Sequence, residues 1–108
     1  MTDQGSTQSP PQLNDLDRMV HEPARLMILA NLYVVESADF TFLMNQTDLS
    51  WGNLSSHLSK LEEVGYVQIR KEFVDKKPHT MASLTGEGRD ALQRYRQQMQ
   101  QFMQGLMD

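Results

Sequence analysis

Cysteine is missing from this sequence of 108 residues. The chain therefore has no disulfide scaffold, no thiolate ligands for a metal ion and no cysteine nucleophile. Long apolar runs are also lacking, since the longest, Leu26–Val35, contains Asn31. A membrane span needs about 20 apolar residues, and no apolar segment typical of a secretion signal follows the N-terminus. These absences predict a cytoplasmic protein with no membrane association.

Positive charge is scarce and unevenly distributed. The chain has 10 Lys and Arg residues against 14 Asp and Glu, which gives a formal net charge of −4. Residues 1–48 carry seven acids and two bases, residues 82–108 carry three of each, and residues 49–81 carry five bases and four acids. The net charge by itself weakly disfavours a nucleic-acid partner. The distribution indicates that a polyanion would bind the middle segment.

The apolar spacing predicts one domain after a short tail. Residues 1–12 have no apolar periodicity and are expected to form a flexible N-terminal tail. Residues 13–108 are enough for one domain with its own core. A helical stripe over 13–20 ends before Pro23, which lacks an amide proton and disfavours helix in the residue that precedes it. Pro23 suits the first turn of a second helix, to about Val35.

The rest of the pattern predicts a helix-turn-helix followed by a hairpin. Apolar residues recur at helical spacing up to Gly65, a residue type that commonly ends helices. After Gly65 the period changes to two, which is typical of strands. This order predicts an α+β, mostly helical winged helix-turn-helix with a two-stranded wing. The predicted elements are a strand at 38–40, a helix at 42–46 capped by Thr41, a helix at 50–64 capped by Ser50, strands at 67–73 and 80–84 around a turn at 75–79, and a long helix at about 86–107.

The helix at 50–64 has a polar face of small side chains. With Leu54 toward the core, small hydroxyls, an amide and a lysine lie opposite or on the shoulders. Asn pairs with adenine, Ser with either base type and Lys with guanine or phosphate, so this face suits a major groove. A solvated face is the alternative, and for Trp51 packing against the turn. The candidate DNA contacts are Ser50, Trp51, Gly52, Asn53, Ser55, Ser56, Ser59 and Lys60.

The hairpin concentrates basic residues directly after that helix. Alone it would be an unremarkable surface hairpin, but beside a recognition helix its bases would reach phosphates or a minor groove. Glu72 and Asp75 dilute the charge, which predicts modest nonspecific affinity. The candidate DNA contacts in the wing, 67–84, are Arg70, Lys76, Lys77 and His79.

No pattern typical of a catalytic or metal site is visible. His21, His57 and His79 lie far apart in the sequence, and His57 is expected to make a structural hydrogen bond. A nucleophile beside a base is not apparent. Gly86 and Gly88 begin a helix without the further glycine or lysine of a phosphate loop. We therefore predict that the protein is not an enzyme and binds no cofactor or metal.

The last helix has an apolar seam at coiled-coil spacing. A helix over 86–107 is ~33 Å long, more than this domain needs for its own core. Pairing with a second copy is the preferred interpretation, and packing within one chain is the alternative. The eight methionines are explained by gap filling, with a small apolar effector as the alternative. The candidate dimer interface is Leu92, Tyr95, Met99, Phe102 and Leu106.

Taken together, these motifs resemble a family of small winged-helix transcriptional regulators related to the MarR and ArsR regulators. The match covers about Leu13 to Phe102 and departs from the family pattern at Thr47, Asp48 and Trp51. The resemblance implies a homodimer that places the second helix of its helix-turn-helix in the major groove, interpreted here as a sequence-specific repressor. A winged helix used only for protein–protein contact is the alternative. The motifs are Phe40-Thr41, Leu49-Ser50-x-Gly52-Asn53-Leu54-Ser55-x-His57-Leu58-x-x-Leu61-Glu62-x-x-Gly65-Tyr66-Val67, Lys76-Lys77-Pro78-x-Thr80 and Leu84-Thr85-x-x-Gly88-Arg89.

Overall fold

The computed structural model describes Leu13 and residues 15–107, so the predicted flexible tail at 1–12 lies outside the described residues. Within them, the helices and strands form the predicted α+β winged helix-turn-helix. Strands β1, β3 and β2 pair in that spatial order in one antiparallel sheet, so the wing hairpin carries a third strand on one edge. The elements are α1 (Pro23–Val35), β1 (Ser37–Asp39), α2 (Phe40–Thr47), α3 (Trp51–Glu63), β2 (Val67–Val74), β3 (Lys77–Leu84) and α4 (Gly86–Met107).

The segment before α1 is a series of turns, and the predicted helix over 13–20 is wrong for its described residues. The amides of Val20 and His21 both donate to the Asp17 carbonyl, at 3.1 and 2.8 Å. The Met19 amide donates to the Asp17 carboxylate at 2.9 Å, a local bond with which aspartate competes against helix. Leu16 and Val20 are nevertheless buried, so the apolar spacing identified core residues but not their backbone conformation.

Carboxylates cap the first two helices. Glu22 accepts a hydrogen bond from the Arg25 amide at 2.8 Å, which stabilises the first turn of α1. Asp39 ends β1 and accepts from the Phe42 amide at 2.8 Å. The predicted cap Thr41 is therefore wrong, and α2 begins at Phe40, two residues before the predicted start. Asp39 has an extended backbone, so it both ends β1 and caps α2. The apolar pattern did not show this double role, and it placed the start of α2 too late.

One apolar core holds α3 by a single narrow stripe. The stripe residues Leu54, Leu58 and Leu61 are fully buried, as their spacing predicts. Each fully buried leucine contributes ~1.5–3 kcal/mol to stability. Because only this stripe of α3 is buried, the opposite face of the helix is exposed. The core around it contains Ile28, Leu29 and Leu32 of α1, Leu43 of α2, Val67 and Ala82 of the sheet, and Ala91 and Tyr95 of α4.

A tight junction joins the end of α3 to the start of α4. Gly65 ends the α3 turn with φ +86°, a left-handed conformation that glycine adopts without strain. The Thr85 hydroxyl donates to the Gly65 carbonyl at 2.6 Å and accepts from the Gly88 amide at 3.0 Å. Gly88 lies so close to the Tyr66 backbone that an added Cβ would be 2.1 Å from the Tyr66 carbonyl oxygen. The turn after α3 and the start of α4 are therefore held together by the Thr85 side chain and by a close approach of the two backbones.

Replacing Gly88 with alanine is expected to lower the free energy of unfolding by ~1–3 kcal/mol, because the methyl group forces the backbones apart. Gly86→Ala is the matched control, since a Cβ at that position meets nothing within 4 Å. Chemical denaturation measures both variants. Equal stability of the two would contradict the close approach at Gly88.

Candidate nucleic-acid interface

The end of α2 and the turn that follows it contain two of the positions at which the sequence departs from the family pattern. Thr47 is buried, and its hydroxyl donates to the Leu43 carbonyl at 2.7 Å. Asp48 has φ 61°, the left-handed conformation that glycine commonly takes at this place. Aspartate tolerates this conformation better than most residues. The turn therefore keeps its geometry with both residues in place.

The start of α3 presents the predicted polar face to solvent. The Ser50 hydroxyl caps the helix by accepting from the Asn53 amide at 3.2 Å, as predicted. Trp51 packs edge-on against Phe40 with ring centroids 4.8 Å apart, yet stays 54% exposed. Trp51 therefore packs against Phe40 and still has exposed surface that can contact DNA. Of the other predicted contacts on α3, Ser55 is half-buried, and Gly52, Asn53, Ser56, Ser59 and Lys60 are exposed.

One arginine connects α3 to the segment before α1. Arg25 donates to the carbonyls of Met19 and Arg18 at 2.8 and 3.3 Å. Its Nη1 also lies 3.2 Å from Nδ1 of His57. Because arginine only donates, the His57 nitrogen accepts, and the predicted structural hydrogen bond of His57 is confirmed. The bond to His57 ties α3 to α1 and opposes rotation of α3 about its own axis, and this rotation decides which side chains face outward.

The acidic end of α3 is directed toward the sheet. The Glu62 carboxylate accepts from the Ile69 amide at 3.1 Å, which ties the last turn of α3 to β2. Because a backbone N–H of a strand points along the plane of the sheet, this bond places Glu62 at the free edge of β2. The N-terminal half of α3, which carries the amide and hydroxyl groups, is therefore away from this carboxylate.

The wing ends in a tighter turn than predicted. Val74 pairs with Lys77, so only Asp75 and Lys76 form the turn. Both have positive φ, 52° and 65°, as in a two-residue type I′ turn. The predicted turn at 75–79 and the strand start at Thr80 are therefore wrong, and β3 begins at Lys77. Lysine is not a typical residue of a type I′ turn, so the sequence did not indicate a two-residue turn at Asp75 and Lys76. The consequence is a longer wing with Lys76 and Lys77 at its end.

The strand register separates the basic residues of the wing onto two faces. Arg70 lies on one face, 3.3 Å from Glu72 in an exposed ion pair. On the same face, His79 lies 3.5 Å from Asp39. Two predicted contacts, Arg70 and His79, thus have acidic neighbours that weaken their attraction for phosphate. The cationic end of the wing consists instead of Lys71, Lys76 and Lys77, all exposed.

Two residues of this surface were not among the predicted contacts. Lys71 and Phe73 alternate with Arg70 and Glu72 and share the face of Val67 and Ile69. The period of two was visible in the sequence. If this alternation is applied to the charged residues as well as to the apolar ones, it predicts that Lys71 and Arg70 lie on opposite faces of the hairpin.

The first half of α4 packs against the core, and its last turns project beyond the core. Tyr95, a predicted interface residue, is buried in its own chain with its hydroxyl 2.9 Å from Nδ1 of His21. Leu92, Met99 and Phe102 are half-buried, whereas Leu106 is 60% exposed. An open groove of about 860 Å³ runs beside these residues. Its apolar lining consists of Leu26, Leu92, Tyr95, Met99, Met103 and Met107.

Polar contacts anchor α4 and the α3–α4 junction to the segment before α1. The Gln98 amide donates to the Asp15 carbonyl at 3.2 Å, and the Tyr66 hydroxyl donates to Asp17. Burial raises the pKa of Tyr66 to about 12, and the hydrogen bond to Asp17 acts in the same direction. Tyr66 therefore remains protonated and a donor at neutral pH.

Among Leu13 and residues 15–107, no three His, Asp or Glu side chains are grouped so that they could hold a metal ion. None of the helices there combines the length and the apolar character that crossing a membrane requires.

The fold and this surface define a winged-helix domain of the kind that binds DNA. Residues 24–103 match the family model described as "Winged helix DNA-binding domain", and the chain belongs to that family. An uncharacterized protein of Methanocaldococcus jannaschii is 36% identical over 78 residues, which are 72% of this chain and 85% of that protein.

The solved structures most similar to this fold include transcriptional regulators. A transcriptional regulator homologue from Pyrococcus horikoshii superposes with a TM-score of 0.79 at 30% identity, over 83% of this chain and 89% of the other. A MarR mutant from E. coli in complex with operator DNA superposes with a TM-score of 0.64 at 20% identity, over 83% of this chain and 70% of the other. The predicted membership of a winged-helix DNA-binding family is confirmed, and the fold is shared with a MarR structure. A DNA-binding regulator is the function that the family supports.

Proposed function

We propose that this protein is a homodimeric, sequence-specific DNA-binding repressor that acts in the cytoplasm. The observation that carries the proposal is exposure: amide, hydroxyl and lysine groups are exposed on α3, and lysines are exposed at the end of the wing that follows it. Helix α3 reads base edges in the major groove, while the wing contacts the backbone and the minor groove. Seated on an operator, a dimer excludes other proteins from the same base pairs, which represses transcription.

The second half of the proposal is a dimer made through α4. Met103, Leu106 and Met107 are 51%, 60% and 82% exposed on one helix. An apolar stripe of this kind is stabilised when a second copy covers it. The open groove extends along the projecting part of α4, which suits a partner helix better than a small apolar effector. A two-fold axis at this helix also sets two copies of α3 side by side, as a palindromic operator requires.

The competing function is a winged helix that contacts only proteins, which the net charge of −4 favours. Selection from a library of random duplexes, followed by titration at several salt concentrations, separates the two. The proposal expects an enriched sequence and an affinity that falls linearly with salt on a log–log plot. No enrichment, together with no salt-dependent binding of any duplex, would favour the protein-contact function.

Replacing Lys76 and Lys77 together with alanine is expected to weaken binding to all duplexes. If both lysines contact phosphate, the log–log salt slope falls by ~1.8 per wing, because each phosphate contact contributes ~0.9. Titration of random-sequence duplex measures the slope. The Lys76→Arg and Lys77→Arg pair keeps the charge and should keep the slope. A slope unchanged by the alanine pair would place the wing off the DNA.

A further inference from the structure

The end of the wing carries an aromatic side chain that the proposed contacts do not use. Phe73 is 77% exposed, and its neighbour Val74 is 47% exposed. Solvent exposure of a phenyl ring costs stability that burial in the core would supply. The hairpin extends this ring beyond the core, at the same end as the Asp75–Lys76 turn.

The register shows the direction in which Phe73 projects. Phe73 is paired with Pro78 and lies one pair from the turn. In a two-residue hairpin, the Val74–Lys77 pair next to the turn is the hydrogen-bonded type, so the next pair is the non-bonded type whose side chains approach closely. Pro78 has no amide proton, and it lies beyond the residues of β3 that pair with β1. Phe73 and Pro78 therefore form one apolar tip.

This apolar tip, Phe73 with Pro78, lies on the face of the hairpin that α3 occupies. Alternation places Phe73 on the same face as Val67 and Ile69. Val67 is buried in the core with Leu58 and Leu61 of α3, and Ile69 is packed against the same core. A duplex lying against the exposed face of α3 would thus meet Phe73 rather than the Arg70–Glu72 face.

The charges around the apolar tip are complementary to a polyanion. Lys71 precedes Phe73 by two residues on the same face, and Lys76 and Lys77 follow at the turn. Two carboxylates lie near these three lysines. Glu72 is on the other face and is paired with Arg70, and Asp75 lies in the turn beside Lys76. A phenyl ring between lysines matches a groove whose floor is apolar base edges and whose walls are phosphates.

Resting on the proposed function, we infer that Phe73 is an apolar wedge that the wing inserts into the minor groove. There the ring partly unstacks one base step and bends the duplex, while the flanking lysines contact phosphates on both strands. Pyrimidine–purine steps unstack most easily. The protein is therefore expected to prefer a TA step under each wing, at a position where no hydrogen-bonding side chain reads the bases.

The test uses the full chain and the duplex enriched from the random library, with aminopurine, a fluorescent base analogue, at the step under the wing. The fluorescence of this base rises when the base unstacks, and energy transfer between dyes at the duplex ends reports bending. Phe73→Ala removes the wedge, and Phe73→Leu keeps an apolar side chain of similar reach. Val34→Ala is the matched control, because Val34 is 79% exposed and lies on α1.

The wild type and Phe73→Leu are expected to unstack and bend the duplex. Phe73→Ala is expected to bind about tenfold more weakly without bending it, with an unchanged salt slope because no charge is lost. Val34→Ala should behave as the wild type. Equal unstacking and bending by Phe73→Ala and the wild type would overturn the wedge, as would a change of oligomeric state in Phe73→Ala, which would indicate a protein contact. Wild-type binding without bending refutes only the wedge, whereas no wild-type binding of any duplex refutes the proposed function.

Discussion

Replacing Met99 with glutamate is expected to give monomers that no longer bind operator DNA. Met99 is half-buried and lines the groove beside the exposed end of α4. In the proposed dimer the two new carboxylates face each other near the two-fold axis, where burial leaves them without water. Each large apolar side chain buried across the axis contributes ~1.5–3 kcal/mol, so Met99, Met103 and Leu106 supply a large share of the association energy. A monomer has only one α3, and the contacts of one half-site are too few to keep it bound to the operator.

Sedimentation at micromolar concentration measures this result, and circular dichroism checks that the domain stays folded. Leu106→Glu is the second variant, since that side chain is 60% exposed and supports little of its own core. Val34→Glu is the matched control, because it adds a carboxylate at an exposed apolar residue outside the groove lining. The dimer proposal fails if the wild type is monomeric, or if both α4 variants remain dimeric.

Replacing Asn53 or Ser56 with alanine is expected to cost ~1–3 kcal/mol on the enriched operator and little on random DNA. Both side chains are exposed on α3, and neither side chain is needed to cap the helix, because the cap bond runs from the Asn53 backbone amide to Ser50. The lost energy is therefore base reading and not helix stability. When both are replaced, the two losses add if each side chain contacts a different base pair.

Anisotropy titrations on the two duplexes measure the difference, and thermal melting of each variant provides the control. The same variants on random DNA keep the phosphate contacts but lose no base-specific ones. An equal loss on both duplexes would show that these side chains do not read bases.

The fold could be predicted wherever one periodicity dominated a segment. The stripe of Leu54, Leu58 and Leu61 defined α3, and Gly65 marked its end. Errors arose where a polar side chain bonded to nearby backbone. Asp17 bonded locally and replaced a predicted helix with turns, while Asp39 capped α2 earlier than the predicted Thr41. Such bonds depend on single dihedral angles, which a pattern of apolar residues does not encode.

The candidate site was only partly predictable, because a site depends on which face each residue shares. The exposed face of α3 followed from the helical wheel, and the structure places those residues as expected. The wing did not follow as well, since the charge count grouped Arg70 and His79 with the lysines at its tip. Their acidic neighbours, Glu72 and Asp39, became visible only through strand register and the third strand. Tyr95 shows the same limit, because its seam position did not reveal the bond to His21.

The hydrogen bonds of Thr85 and the close approach of Gly88 tie the end of α3 to the start of α4, so that in the proposed dimer a tilt of α4 also displaces α3. This tilt pivots about the point at which the two α4 helices cross. A change of 5° in tilt over a helix of ~33 Å displaces the far end by ~3 Å, close to the rise of one base pair. The distance between half-sites is therefore set by residues that never approach DNA. A descendant of this protein can change the spacing of its operator by repacking α4 while the bases read by α3 stay the same.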